Sequence, residues 1–94
     1  MGKVILQGFI IVPLSELTTV KSELDAHICL TRAETGCLIF KVTQDALNPC
    51  RFDVYEEFVD ETAFQAHQAR VTSSRWGEIT VNVERNYTVT CMGT

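Results

Sequence analysis

The run KVILQGFIIV, at residues 3–12, constrains the fold more than any other part of this sequence. Its β-branched and aromatic residues favour a strand, and Pro13 should end that strand because proline cannot donate to a sheet. With a period of two, one face carries Val4, Leu6 and Ile10, and the other carries largely Ile5, Phe9 and Ile11. The pattern therefore predicts a strand that is buried on both sides.

Helix and strand patterns follow in a clear order. Apolar residues at i, i+3, i+7 and i+11 predict an amphipathic helix within residues 14–34, with Ser15 as its N-cap and Gly36 just beyond its end. Two β-rich runs, 37–45 and 51–59, flank an Asn-Pro turn and predict a hairpin.

A second helix is expected after Asp60, which should cap it. Its inward stripe consists of Ala63, Phe64, His67 and Val71. Residues 72–79 should form a loop or a short extra turn, and residues 80–92 the last strand. The order β-α-β-β-α-β predicts an α+β, ferredoxin-like sandwich, in which a four-stranded antiparallel sheet carries both helices on one face. We expect one domain over residues 1–94, and a homodimer that covers the other sheet face.

Composition and charge exclude several classes of function. The 12 acidic and 8 basic residues include no basic run, so nucleic acid is not an expected partner. No apolar run approaches the roughly 18–20 residues that cross a bilayer, so we expect a cytoplasmic protein without a membrane partner. The hairpin should place Cys37 opposite Val59 and far from Cys50, which disfavours a disulfide between them. The four cysteines fit small buried residues in a reducing compartment.

Residues 31–70 resemble the antibiotic biosynthesis monooxygenase superfamily. Three short motifs carry the resemblance: Glu34, Gly36 and Cys37 at a helix exit, Tyr55, Glu56 and Phe58 at a strand end, and Ala66 with His67 on a helix. The resemblance implies a dimeric ferredoxin-like α+β barrel. Its better-known members are similar to small oxygenases that act on quinols or polyketide aromatics without flavin or metal, while others degrade haem or isomerise phosphorylated sugar derivatives. Phe58 replaces the Trp of many members, and the first strand lacks the Asn of haem-degrading relatives, so haem degradation is not expected.

His67 and Glu56 are the expected catalytic pair. Strand alternation directs Glu56 toward the helices, and His67 lies on the inward stripe, so both could line a cavity between sheet and helices. An imidazole can take a phenolic proton at neutral pH, and Glu56 on its other nitrogen would fix the tautomer. A phenolate is oxidised more readily than a phenol, so the substrate could reduce O2 without a cofactor. The expected substrate-binding residues are Phe9, Phe40, Phe58, Phe64 and Trp76, with Trp76 as a lid.

Each of these residues also has a plainer role. His67 could be a hydrogen-bonded core histidine, and Glu56 a buried acid paired with Arg70. Trp76 could close a dimer edge, and the phenylalanines could be core. His27 is expected to be structural. No metal site is expected, because His27, His67 and Glu56 lack any ligand spacing.

Two other functions remain open from the sequence. One is an isomerase that moves a proton on a small sugar-derived, phosphorylated ketone, which would need Arg51, Arg70 or Arg75 in the cavity to bind phosphate. The other is a non-catalytic, small-molecule-binding dimer, in which no void would adjoin His67.

Overall fold

A computed structural model of the protein describes residues 2–92 and confirms the α+β, ferredoxin-like architecture. The elements are β1 (Val4–Ile11), α1 (Leu17–Arg32), β2 (Cys37–Gln44), β3 (Arg51–Phe58), α2 (Glu61–Thr72), α3 (Arg75–Ile79) and β4 (Glu84–Cys91). The sheet is antiparallel with the strand order β2-β3-β1-β4, so β1 pairs with both β3 and β4. Within residues 2–92, no helix is long and apolar enough to cross a membrane.

The first helix begins later than the sequence predicts. Ser15 lies inside a 3₁₀ turn, Leu14–Glu16, and α1 starts at Leu17 without a side-chain cap, so the prediction of Ser15 as N-cap is wrong. Pro13 precedes this turn with its φ already at −56°, a value that suits the start of a tight helical turn. The tight turn therefore occupies the residues in which the cap was expected.

Gly36 closes the connection from α1 to β2. Its φ is +87°, in the region that favours glycine. A Cβ built there would lie 2.6 Å from Ala63 Cβ and 2.9 Å from Val59 Cγ1. The chain therefore turns tightly under α2 at this point, which brings the residues before Gly36 close to that helix.

The β2–β3 hairpin forms where it was predicted, with a shift at one end. Phe40 pairs with Glu56 and Val42 pairs with Val54, but an irregularity between Cys37 and Ile39 places Cys37 opposite Phe58. The expected partner Val59 is therefore wrong by one residue, as a β-bulge would produce.

The second half of the chain contains one helix more than the sequence clearly indicated. The Asp60 carboxylate accepts a hydrogen bond from the Ala63 amide at 2.8 Å, which confirms the predicted cap of α2. The segment 72–79 includes α3, whose N-cap Ser74 accepts from the Gly77 amide. The last strand starts at Glu84 instead of residue 80.

The core lies between the sheet and the helices. Its buried members are Val4, Leu6, Ile10, Val12, Val20, Phe52, Val54, Phe58, Phe64 and Val83. On the other sheet face, Ile5, Phe9 and Ile11 are only half-buried. The apolar residues that the sequence predicted on this face thus remain available to a partner.

Candidate active site

Two carboxyl side chains and one imidazole, those of Glu34, Glu56 and His67, form a row on the sheet-facing side of α2. His67 Nδ1 lies 2.8 Å from Glu34 Oε1, in the α1–β2 connection, and His67 Nε2 lies 3.8 Å from Glu56 Oε1 on β3. Arg70 donates to the other oxygen of Glu34 and, at 2.9 Å, to the hydroxyl of Thr31. Because the carboxylate of Glu34 accepts from Arg70, His67 Nδ1 carries the hydrogen and Nε2 presents its lone pair toward Glu56.

Local structure explains how the row is assembled. The burial of β3 alternates residue by residue, and Glu56 falls on the buried face with Phe58. His67 follows Phe64 by three positions, so both face inward from α2. Glu34 reaches His67 because the chain reverses at Gly36.

Burial shifts the pKa values of this row toward the neutral forms. Desolvation, aided by the negative charge of Glu34, raises the pKa of Glu56 to about 7. Burial lowers the pKa of His67, although the hydrogen bond with Glu34 opposes that effect. A carboxyl group that titrates near neutral pH therefore faces an imidazole that is readily kept neutral, an arrangement suited to proton transfer.

A small cavity of about 30 Å³ lies on the other side of Glu56. The polar and aromatic part of its wall consists of His27, Phe40, Glu56, Trp76, Arg85 and Tyr87. A water molecule needs on the order of 10–15 Å³ of such space, whereas an engineered cavity that binds benzene measures about 150 Å³. In this conformation the cavity has room for water but not for an aromatic ring.

The predicted site residues divide into three groups. Glu56, Phe40 and Trp76 line the cavity. His67 does not, because it is only 4% exposed and packs behind the wall, with its ring centroid 5.0 Å from that of Phe58. The expectation that His67 lines the cavity is therefore wrong.

Three aromatic residues predicted to bind substrate lie away from the cavity. The rings of Phe58 and Phe64 contact each other in the core, with centroids 5.7 Å apart. Phe9 lies on the opposite sheet face, where the guanidinium of Arg51 sits 3.9 Å from its ring centroid. The outward turn of Phe9 follows from the alternation of β1, since its neighbour Ile10 points into the core on the helix side.

The hydrogen-bonding roles differ from those predicted. Glu34, and not Glu56, holds the Nδ1 atom of His67, and Arg70 pairs with Glu34 instead of Glu56. Glu34 stands in the helix-exit motif, so the signal was present in the sequence, but its contact with His67 joins residues 33 positions apart.

His27, which the sequence analysis expected to be structural, lies on the cavity wall. Its ring stacks on Trp76, with centroids 4.4 Å apart and planes 5° apart, and meets the edge of Phe40 at 5.4 Å. Burial, with the positive charge of Arg70, lowers the pKa of His27 to about 3, so the ring is neutral at physiological pH. Its position three residues after Leu24 was the only available signal.

The arginines needed by a phosphate-binding isomerase are not on this cavity. Arg51 lies over Phe9, Arg70 pairs with Glu34, and Arg75 pairs with Glu23 on the surface. Arg85 is on the wall, where its guanidinium donates to the Thr80 side chain and to nearby backbone carbonyls. Over residues 2–92, no group of three or more His, Cys, Asp or Glu side chains is arranged so that it could hold a metal ion.

A family profile described as antibiotic biosynthesis monooxygenase matches residues 5–78. The chain belongs to the antibiotic biosynthesis monooxygenase family. The matched region of this family member contains Glu34, Glu56, His67 and Trp76, and it ends before Arg85 and Tyr87 on β4.

Solved structures agree with this family assignment. A crystal structure of an antibiotic biosynthesis monooxygenase is 26% identical, with 100% of this chain and 98% of that chain covered and a TM-score of 0.75. A conserved protein of unknown function from Bacteroides thetaiotaomicron VPI-5482 is 13% identical over 97% of this chain and 98% of that chain, with a TM-score of 0.82. A protein from Pseudomonas aeruginosa is 22% identical over 97% of this chain and 91% of that chain, with a TM-score of 0.75. The last two show similarity of fold alone. A search of curated proteins found no match.

Proposed function

We propose that this family member is a cofactor-independent monooxygenase that acts on a small aromatic or quinol substrate. The observation that carries the proposal is the carboxyl group of Glu56, which borders the cavity, has a pKa raised to about 7, and lies 3.8 Å from the lone pair of His67 Nε2. A buried acid with this pKa is suited to general base catalysis near neutral pH.

In this proposal, Glu56 removes the acidic proton of the substrate, and His67 Nε2 shares it. The Glu34 carboxylate, held by Arg70, stabilises the imidazolium that forms when the proton reaches His67. His67 thus acts behind Glu56, not as the group that contacts the substrate.

Deprotonation makes the substrate the electron donor for O2. The substrate anion transfers one electron to O2, the resulting radical and superoxide combine at carbon, and the hydroperoxide loses water to leave a carbonyl group. A ring methylene and O2 thereby become a carbonyl and water, and no external reductant is required. The protein contributes the base, the aromatic walls and the exclusion of bulk water.

Binding of a ring requires the cavity to enlarge. Trp76 belongs to α3, a helix of only five residues, and it borders both this cavity and a groove on the outer surface between α1 and α3. Movement of Trp76 would join the two spaces, which supports the role of lid that the sequence suggested.

We also propose that the protein is a cytoplasmic homodimer that pairs through the open sheet face. The half-buried Ile5, Phe9 and Ile11 on that face, in a chain whose own core is small, support this assembly. The four cysteines are free, which is compatible with a reducing compartment, but the expectation that they are buried is wrong, because two are exposed and two are half-buried.

Oxygen uptake by metal-free, colourless protein tests the activity. A panel of dihydroxynaphthalenes and anthrones should support uptake by the native protein, and Glu56→Gln should lower the rate by about 100-fold or more. Glu78→Gln, which makes the same change at a side chain that is 77% exposed, is the control. No uptake above that of Glu56→Gln and His67→Ala would contradict the proposal.

A non-catalytic, small-molecule-binding dimer is the second candidate, and the small size of the cavity favours it. It predicts binding of the same compounds without oxygen uptake. An isomerase of a phosphorylated ketone has less support, because Arg51, Arg70 and Arg75 bind elsewhere and Arg85 already donates to Thr80.

A further inference from the structure

Two buried polar atoms, each in a residue that lines the cavity, have no hydrogen-bond partner among residues 2–92. They are His27 Nδ1 and Glu56 Oε1, and each residue is only 6% exposed. Glu56 Oε1 faces His67 Nε2, but the 3.8 Å between these two atoms is beyond hydrogen-bond distance. Both residues line the same cavity. Buried polar atoms normally find partners, because an unpaired one retains its full desolvation penalty. Two such atoms on one wall therefore indicate a site for a ligand that can pair with them.

Packing alone does not explain an imidazole at position 27. Its ring stacks on Trp76, contacts Phe40 edge to face and lies 6.2 Å from the ring of His67, contacts that a phenyl ring could make as well. His67 differs in this respect, because its Nδ1 has a firm partner in Glu34. The ring of His27 is thus held in a fixed orientation, with Nδ1 left free to bind.

We propose that His27 Nδ1 and Glu56 bind two oxygen substituents on one edge of a planar substrate, so that His27 is the histidine that contacts the substrate. This inference rests on the proposed function and narrows its substrate class to rings that carry at least two neighbouring oxygen atoms. A ring with a single oxygen would leave one of the two buried atoms unpaired. The low pKa of His27 keeps its ring neutral, so it can accept a hydrogen bond from a substrate hydroxyl or donate one to a carbonyl.

Calorimetric titration under nitrogen separates binding from oxidation. The probes are 2,3-dihydroxynaphthalene and 2-naphthol, which differ by one hydroxyl group. The native protein should bind the diol about tenfold more tightly than 2-naphthol, as one extra hydrogen bond predicts. His27→Phe should abolish that preference and leave the affinity for 2-naphthol within about threefold, because the aromatic contacts remain.

Two further variants test which ring nitrogen matters. The side-chain amide of Asn places a polar atom near the position of Nδ1, whereas that of Gln places one near Nε2. His27→Asn should therefore retain part of the preference for the diol, and His27→Gln should behave like His27→Phe. The melting temperature of His27→Phe should equal or exceed that of the native protein, because the unpaired buried nitrogen has been removed.

Nitrogen-15 NMR of the native protein tests the contact without a substitution. The chain has two histidines, so untagged protein gives signals from two imidazole rings, which the His27→Asn spectrum assigns. The diol should shift the Nδ1 signal of His27 more than any signal of His67.

The outcomes separate this inference from the proposed function. The inference is overturned if His27→Phe keeps the preference for the diol, if it loses affinity for both probes equally, or if the native protein binds neither probe. Selective binding that depends on His27, without oxygen uptake in air, would refute the monooxygenase activity and leave the inference standing.

Discussion

The free energy of unfolding should depend on pH through the buried carboxyl group of Glu56. Its pKa is about 7 in the folded protein and 4.5 ordinarily, a difference of 2.5. Below pH 4.5 the group is protonated in both states and has no effect. Between pH 4.5 and 7 the unfolded chain ionises first, so stability falls as pH rises, and at pH 8 the loss reaches about 3 kcal/mol.

Glu56→Gln removes this titration and keeps the shape of the side chain. Urea unfolding, followed by the fluorescence of the single tryptophan at a fixed protein concentration, gives the stability of both proteins from pH 4.5 to 8.5. The variant should gain about 3 kcal/mol relative to the native protein across that range. Titration of groups whose pKa is not influenced by Glu56, such as His27, is common to both proteins and cancels in the difference. Glu78→Gln, the exposed control, should show no comparable trend.

A stability difference that stays constant with pH would refute a raised pKa for Glu56. A variant that becomes less stable than the native protein as pH rises would refute it more directly. That result would mean that the folded protein stabilises the Glu56 carboxylate, as an ion pair with protonated His67 would do.

Three other changes test the structure around the site. Glu34→Gln should destabilise the protein by about 2 kcal/mol in urea unfolding, because His67 and Arg70 lose a charged partner; unchanged stability would contradict the pairing. Gly8→Ala should separate β4 from β1, because a Cβ there would lie 1.9 Å from the Asn86 carbonyl oxygen, and slowed hydrogen exchange in β4 should be lost; intact protection would contradict that register. Asp60→Ala should lower stability by about 1 kcal/mol in thermal melts through loss of the α2 cap, and no loss would argue against the cap.

Periodicity was sufficient to predict most of the fold from the sequence. The strand alternation around Val4 and Glu56 and the inward stripe of α2 depend only on which side chains share a face, and each was correct. The errors at Ser15 and at the start of β4 have another origin. A 3₁₀ turn replaced the expected cap, and the residues before β4 form a turn to whose carbonyls Arg85 donates. The 3₁₀ turn is closed by backbone hydrogen bonding, and the contacts of Arg85 join a side chain to a backbone that must already be folded.

The site was less predictable than the fold for a related reason. Alternation placed Glu56 on the correct face, and the helical stripe placed His67 beneath α2. Neither pattern specifies which carboxylate meets which ring nitrogen. That choice depends on the reversal at Gly36, which brings Glu34 to His67, and on the packing of Trp76 against His27.

The charge of the cavity wall connects the two histidines to the class of substrate. Glu34 and Arg70 neutralise each other behind His67, and His27 is neutral at pH 7. Glu56 is itself about half protonated at that pH. An anionic group such as a phosphate would therefore depend on Arg85, whose donors already serve Thr80 and neighbouring carbonyls. A neutral hydroxylated ring loses little solvation free energy on entering a cavity with such a wall. It becomes an anion only where Glu56 and His67 can take its proton.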